Sequence, residues 1–259
     1  MIRGILMDIF PFELLSQEHN RIIAEANRCG VTMRLLGAMA FELRCSKSAA
    51  LRVELGRTLS DLDYMALTKQ WDDVVKLLTS LGYSFDERRA MLHGNERIIF
   101  FHPSELRVDV FFDQLDMCHK IDLRNRLSIH DQTISLADLL LEKLQIVQIT
   151  EKDIIDIITL FMEHPVTEDE SGINTPYITD RFAGDWGFYH SATTNLRRVH
   201  DEFIFHYSQL TEDNQRIVRT RIDQLINSIE QTPKTLKWKA RARFGTSLKW
   251  YRDVGDLVR

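Results

Sequence analysis

Apolar positions recur at helical spacing early in the chain. After Pro11, the residues Leu14, Leu15, Ile22, Ile23 and Ala26 mark one face of a helix that stops at Gly30. Val31–Leu36 is a short strand-like run, and Gly37-Ala38 turns it into a second helix through Phe41 and Leu43. Ser60–Leu67 alternates polar with apolar side chains, the mark of a half-exposed strand. Trp71, Val74, Val75, Leu77, Leu78 and Leu81 form an amphipathic helix closed by Gly82. Glu96–Phe101 and Leu106–Phe112 are β-rich runs around His102-Pro103-Ser104-Glu105, which predicts a hairpin.

Leu136–Ile149 and Asp153–Met162 return to helical spacing. His164–Gly172 is polar and turn-rich, so it marks the expected domain boundary. Beyond it, Thr193–Leu210 and Glu212–Ile229 are expected as two antiparallel helices. The order predicts an α+β fold: a small mixed sheet with helices on one face, then a mainly helical C-terminal region. The expected division is a first domain over residues 1–165 and a helical domain with a basic tail over 166–259.

Composition is that of an ordinary globular protein, 44% hydrophobic and 27% charged, which excludes a disordered or fibrous chain. Charge is uneven. Thr232–Arg259 carries eight Lys/Arg and two Asp/Glu, a net of +6; the rest of a chain at -5 overall is therefore -11. A basic tail on an acidic body points to phosphate-bearing partners or is simply solvated surface. Cys29, Cys45 and Cys118 are scattered, without a C-x-x-C pair, as in a reduced cytosolic protein. Asp8 and Pro11 interrupt the N-terminal apolar run, and no stretch approaches the ~20 apolar residues that span a bilayer. A cytoplasmic protein with no membrane partner is expected.

The chemistry-bearing pattern is acidic. Side chains two apart on a strand share a face, so Asp61 and Asp63 present two carboxylates together while Leu62 and Tyr64 turn inward. Asp109, in Arg107-Val108-Asp109-Val110-Phe111, is a third acid on a strand between apolar neighbours. Unit charges about 4 Å apart repel by roughly 4 kcal/mol at an effective dielectric of 20. Three such groups need a proton, a basic partner or a divalent cation, and open oxygen sites suit Mg²⁺. The bland alternative is a charged strand edge that discourages aggregation.

Leu35-Leu36-Gly37-Ala38, then Arg57-Thr58-Leu59-Ser60-Asp61-Leu62-Asp63, then Val108-Asp109-Val110 resembles the nucleotidyltransferase superfamily. Arg57 four residues before the first Asp, Leu141-Glu142-Lys143-Leu144 and Lys152-Asp153-Ile154-Ile155-Asp156 narrow the resemblance to the abortive-infection toxin type, over about residues 12–163. Ala38 stands where that family has Gly or Ser, Leu59 where it often has Thr, and Lys152 where it often has Arg. Cys45–Gly56 is a helix-like insertion.

The resemblance implies a transferase moving a nucleoside monophosphate from a nucleoside triphosphate to an acceptor hydroxyl on RNA, protein or a small molecule, with release of pyrophosphate. Asp61, Asp63 and Asp109 would be catalytic and bind Mg²⁺ or Mn²⁺, the arrangement that two-metal phosphoryl chemistry uses. Gly37 and Ala38 at a helix start, Ser60, Arg57 and Lys143 would meet the triphosphate. Asp156 would orient Lys143 or reach the acceptor. A toxin context implies an antitoxin partner. Each residue also has a structural alternative: Gly37 as a tight strand end, Lys143 as a solvated lysine, Arg57 as a surface ion-pair partner, Asp153 as a helix N-cap. The whole chain has one too, a non-catalytic module that keeps the fold and binds nucleotide or nucleic acid.

The nine His show no H-E-x-x-H and no zinc-like spacing, and there is no G-x-S-x-G elbow or P-loop. Lys237–Phe244 alternates cation with apolar residue. As a strand it would display a row of cations that either tracks an RNA backbone or guards an edge; as a helix it would spread them around its circumference and weaken both ideas.

Overall fold

The computed structural model describes residues 9–86 and 96–254. The chain start up to Asp8 and the last five residues of the basic tail lie outside the described residues. The fold is mixed α+β, with a small mixed sheet and a helical C-terminal region. Its elements in order are α1 (Phe12–Cys29), β1 (Met33–Leu36), α2 (Gly37–Arg44), α3 (Ala49–Glu54), β2 (Asp61–Ala66), α4 (Trp71–Ser80), β3 (Ser84–Phe85), β4 (Arg97–Phe101), β5 (Arg107–Phe112), β6 (Gln114–Asp116) and β7 (Lys120–Asp122). There follow α5 (Leu136–Leu144), α6 (Glu151–Glu163), β8 (Val166–Thr167), β9 (Ile173–Asn174), α7 (Thr175–Gly184), α8 (Trp186–Asp201), α9 (Glu212–Gln231) and α10 (Leu236–Ala242). No helix among the described residues is long and apolar enough to cross a membrane.

The chain divides into two compact units. The first comprises residues 1–43, 58–115 and 122–134 and holds a five-stranded sheet in the order β1-β2-β5-β4-β3. The β2–β5 pair is parallel; the β1–β2, β4–β5 and β3–β4 pairs are antiparallel. The expected hairpin is therefore β4–β5. Helix α1 buries Leu15, Ile22, Ile23 and Ala26 and ends where Gly30 adopts φ 67°, a left-handed conformation that costs glycine little. Helix α4 buries Val74, Leu77 and Leu78 and packs on α1. Along β2, Leu62 and Tyr64 are fully buried while Asp61 and Asp63 remain half-buried, so the sequence alternation sets which face carries the acids.

The second unit comprises residues 44–57, 116–121 and 135–259 and is built from α3 and α5–α10. Helix α9 packs on α6, α7 and α8 through Val218, Ile222, Leu225 and Ile229. Two expected helix bounds change here. The helix expected to run to Ile149 stops at Leu144, where Asn195 Nδ2 donates to the carbonyls of Leu144 (3.3 Å) and Ile146 (2.7 Å). These bonds satisfy helix-end carbonyls from outside the helix, and Ile146, Val147 and Ile149 are weak helix formers.

The helix expected over Thr193–Leu210 begins at Trp186, capped by the Asp185 side chain, and ends at Asp201. Helix α7 precedes it unanticipated, capped by Asn174 with Pro176 in its first turn. Of the two forms open to Lys237–Phe244, the helix is the one observed: Thr235 accepts from the Trp238 N–H and starts α10. The polar run at His164–Gly172 is a connection within this unit, and β8 pairs with β9 in parallel across it.

Candidate functional site

In the first unit, β2 and β5 pair so that Asp63 lies beside Asp109 and Asp61 beside Arg107. One carboxylate oxygen from each of Asp61, Asp63 and Asp109 lies within 4.8 Å of the others. The three acids named from sequence thus converge. Asp109 is the most enclosed, at 1% exposure, and its Oδ1 accepts no hydrogen bond.

Two arginines that the sequence reading did not assign answer this charge. Arg97, on β4, donates from Nη2 to Asp109 Oδ2, and Arg107 donates from Nη2 to Asp61 Oδ2. Arg107 Nε also stands 3.5 Å from Asp109 Oδ1. Both positions follow from pleating. Arg107 is two residues before Asp109 on β5, and Arg97 is two before Ile99, the register partner of Asp109. Burial pushes the Asp109 carboxyl above the usual range; Arg97 and Arg107 oppose that, and Asp61 adds to it.

The turn from β1 into α2 closes over the acids, because Leu36 is the register partner of Asp63. Gly37 takes φ +66°, and a Cβ there would come within 3.2 Å of Asp63 Cγ and closer still to Oδ2. Any side chain there would be strained by the positive φ and would crowd the Asp63 carboxylate. Ala38 follows, half-buried, in the first turn of α2. The Ser60 hydroxyl donates to Asp61 Oδ1 at 3.1 Å, so it steadies a carboxylate.

Arg57, Lys143 and Asp156 belong to the second unit and form a cluster of their own. Arg57 forks onto Asp156 with Nε–Oδ1 2.8 Å and Nη2–Oδ2 2.9 Å. Arg52, also buried and not singled out from sequence, reaches Asp156 Oδ1 at 3.0 Å and donates to Thr159 Oγ1 at 2.9 Å. Lys143 Nζ lies 3.3 Å from Asp156, 3.2 Å from Glu142 and 3.5 Å from Asp153. Three cations and three carboxylates are matched in a space where Asp156 is 0% exposed.

Burial opposes both charges, yet Lys143, Arg57 and Arg52 hold the Asp156 carboxyl below its usual range. Burial likewise would lower the Lys143 ammonium, but Glu142, Asp156 and Asp153 raise it. Asp153 is not the N-cap of α6. Thr150 is, with Asp153 completing a capping box as the third residue of the helix.

No family model matches this chain, and no curated protein matches it. The residues themselves must therefore say what the acid cluster can hold. Its donors are all carboxylate oxygens, hard ligands of the kind that Mg²⁺ and Mn²⁺ take. A buried Asp109 oxygen without a hydrogen-bond donor, within reach of the Asp61 and Asp63 carboxylates, fits a small divalent cation. Arg97 and Arg107 are the groups with which such an ion would compete.

Proposed function

We propose that the chain is a metal-dependent nucleotidyltransferase, transferring a nucleoside monophosphate from a nucleoside triphosphate to an acceptor hydroxyl and releasing pyrophosphate. The observation that carries this reading is the meeting of Asp61, Asp63 and Asp109, from two paired strands, beneath the left-handed turn at Gly37. A divalent cation held there would polarise the phosphate and neutralise charge on the leaving group. In this reading Asp61, Asp63 and Asp109 would together hold the ion, which would supply Lewis-acid activation of the phosphoryl transfer. The first turn of α2, at Gly37 and Ala38, orients its amides towards anionic phosphate. Arg107 supplies a cationic contact to the triphosphate, while Arg57, Lys143 and Asp156 form an ion-paired cluster within the second unit.

The acceptor class in this proposal is RNA. The support is the surplus of basic residues near the C-terminus, where α10 exposes Lys237 and Lys239 and is followed by exposed Arg243. A cytoplasmic setting and an antitoxin partner complete the reading, on the toxin-type resemblance and on cysteines that are all free.

One observation favours a second reading. The guanidiniums of Arg97 and Arg107 already neutralise most of the acid charge, as suits a module that binds nucleotide or nucleic acid without transferring anything. One experiment separates them: the protein is incubated with each α-phosphate-labelled triphosphate, Mg²⁺ or Mn²⁺, and total cell RNA or lysate. Transfer of label to an acceptor, abolished by Asp63→Asn, supports the transferase. Nucleotide binding without transfer, for every triphosphate and acceptor, selects the second reading.

A further inference from the structure

The three carboxylates and two guanidiniums of the first unit carry a net formal charge of -1. A divalent cation entering that set would make it +1, and still more positive with a second ion. The ion alone would also have to break the Arg107 contacts to Asp61 and Asp109 without giving the released guanidinium a new anion. A cation that arrives bound to a polyphosphate brings that anion with it.

Resting on the metal-centre reading above, we propose that Arg107 is an exchangeable counter-ion. It bridges Asp61 and Asp109 in the resting protein and turns to the polyphosphate when a metal–polyphosphate complex binds, so that the site favours the complex over the bare ion. The geometry suits exchange. Arg107 spans the two acids with different nitrogens, Nη2 on Asp61 and Nε on Asp109. Its side chain keeps 24% exposure, against 1% for Asp109, so it has room to swing while the carboxylate stays. Asp109 Oδ1 is the atom that gains most: buried, without a hydrogen bond, and 3.5 Å from Arg107 Nε. Arg97 differs, since its guanidinium is seated 5.0 Å from the Phe111 ring centroid while it donates to Asp109. It stays in place as the fixed cation of the pair.

The test is calorimetric titration of the full chain with Mn²⁺ alone and with preformed Mn²⁺–tripolyphosphate, a probe that needs no knowledge of the base. The wild type is expected to prefer the complex at least tenfold. Arg107→Gln is expected to bind Mn²⁺ alone at least tenfold more tightly than the wild type and to lose most of that preference. A purely structural arginine would give the opposite sign, a weaker metal site in the variant. Circular dichroism shows whether the glutamine variant folds.

If it does not fold, Arg107→Lys decides. A single ammonium cannot span both acids, so Mn²⁺ alone should bind severalfold more tightly, and unchanged affinity overturns the inference. Equal affinities of wild type and Arg107→Gln for Mn²⁺ also overturn it, while leaving the metal centre standing. Failure of both proteins to bind either probe removes the inference and the metal-centre reading together.

Discussion

Replacing Asp156 by alanine removes the carboxylate on which three buried cations converge. Arg57 loses both arms of its fork, at 2.8 and 2.9 Å, Arg52 loses its contact at 3.0 Å, and Lys143 loses one of its three carboxylate neighbours and keeps Glu142 and Asp153. At these separations each pair is worth roughly 5 kcal/mol of gross attraction at an effective dielectric of 20. Desolvation offsets much of that in the intact cluster, but it is not recovered when one partner is deleted. Breaking a buried pair in this way costs about 3–5 kcal/mol. For a chain of this size that is a fall in Tm of roughly 6–20 °C. Urea denaturation of the full chain followed by circular dichroism measures it, with Arg216→Ala as control. That arginine pairs with Asp213 in the open, at 71% exposure, and its loss should cost less than about 1 kcal/mol. An Asp156→Ala penalty no larger than the control would refute the claim that these charges are held out of water.

Further outcomes follow from single features. Gly37→Ala combines a positive φ with overlap on Asp63 and should cost about 1–3 kcal/mol in urea denaturation while weakening Mn²⁺ binding; retention of both quantities would contradict the packing described. Burial pushes the rings of His19 and His119 from 6.5 down to about 4. The unfolded chain takes up these protons first on acidification, so their contribution is complete above pH 6.5 and falls between 6.5 and 4, by up to about 3 kcal/mol per ring. Urea midpoints across that range measure the loss, and His19→Gln with His119→Gln should flatten it. The Asp156 carboxyl, held below 3.8, acts lower still, its contribution vanishing only as pH falls through its folded value. In the second unit, a Cβ on Gly187 would stand 3.4 Å from the Trp250 carbonyl carbon and nearer its oxygen. Gly187→Ala should therefore loosen the segment around Trp250 and speed tryptic cleavage at Lys249 and Arg252, whereas an unchanged cleavage rate would argue against that contact.

Periodicity made the larger elements of the sheet unit legible, because each buries one face against a single core. The alternation through Ser60–Leu67 correctly placed Leu62 and Tyr64 inside and Asp61 and Asp63 together. What it could not give was the neighbour of β2: Asp109 meets Asp63 only because β5, distant in sequence, adds in parallel at that register. The arginines were half-visible. Arg107 two residues before Asp109 shares its face by the same rule that joined Asp61 to Asp63, but Arg97 depends on the register of β4.

Errors clustered among the C-terminal helices. For Lys237–Phe244 the alternation left strand and helix both open; Thr235 as a side-chain cap and two alanines favour the helix that forms. Asp156 was expected to orient Lys143 and lies 3.3 Å from it, but the rest of that cluster was not legible. Only packing brings Asp153 and Glu142 to Lys143, and Arg52 and Arg57 to Asp156.

The most direct test of the central claim is an Mn²⁺ titration followed by electron paramagnetic resonance, comparing the wild type with Asp63→Asn. Three carboxylates acting as one cation site predict saturable binding in the wild type, weakened at least tenfold in a variant that keeps the wild-type circular dichroism spectrum. Identical curves for the two proteins, or no bound ion in either, would mean that Asp61, Asp63 and Asp109 are held together by Arg97 and Arg107 alone.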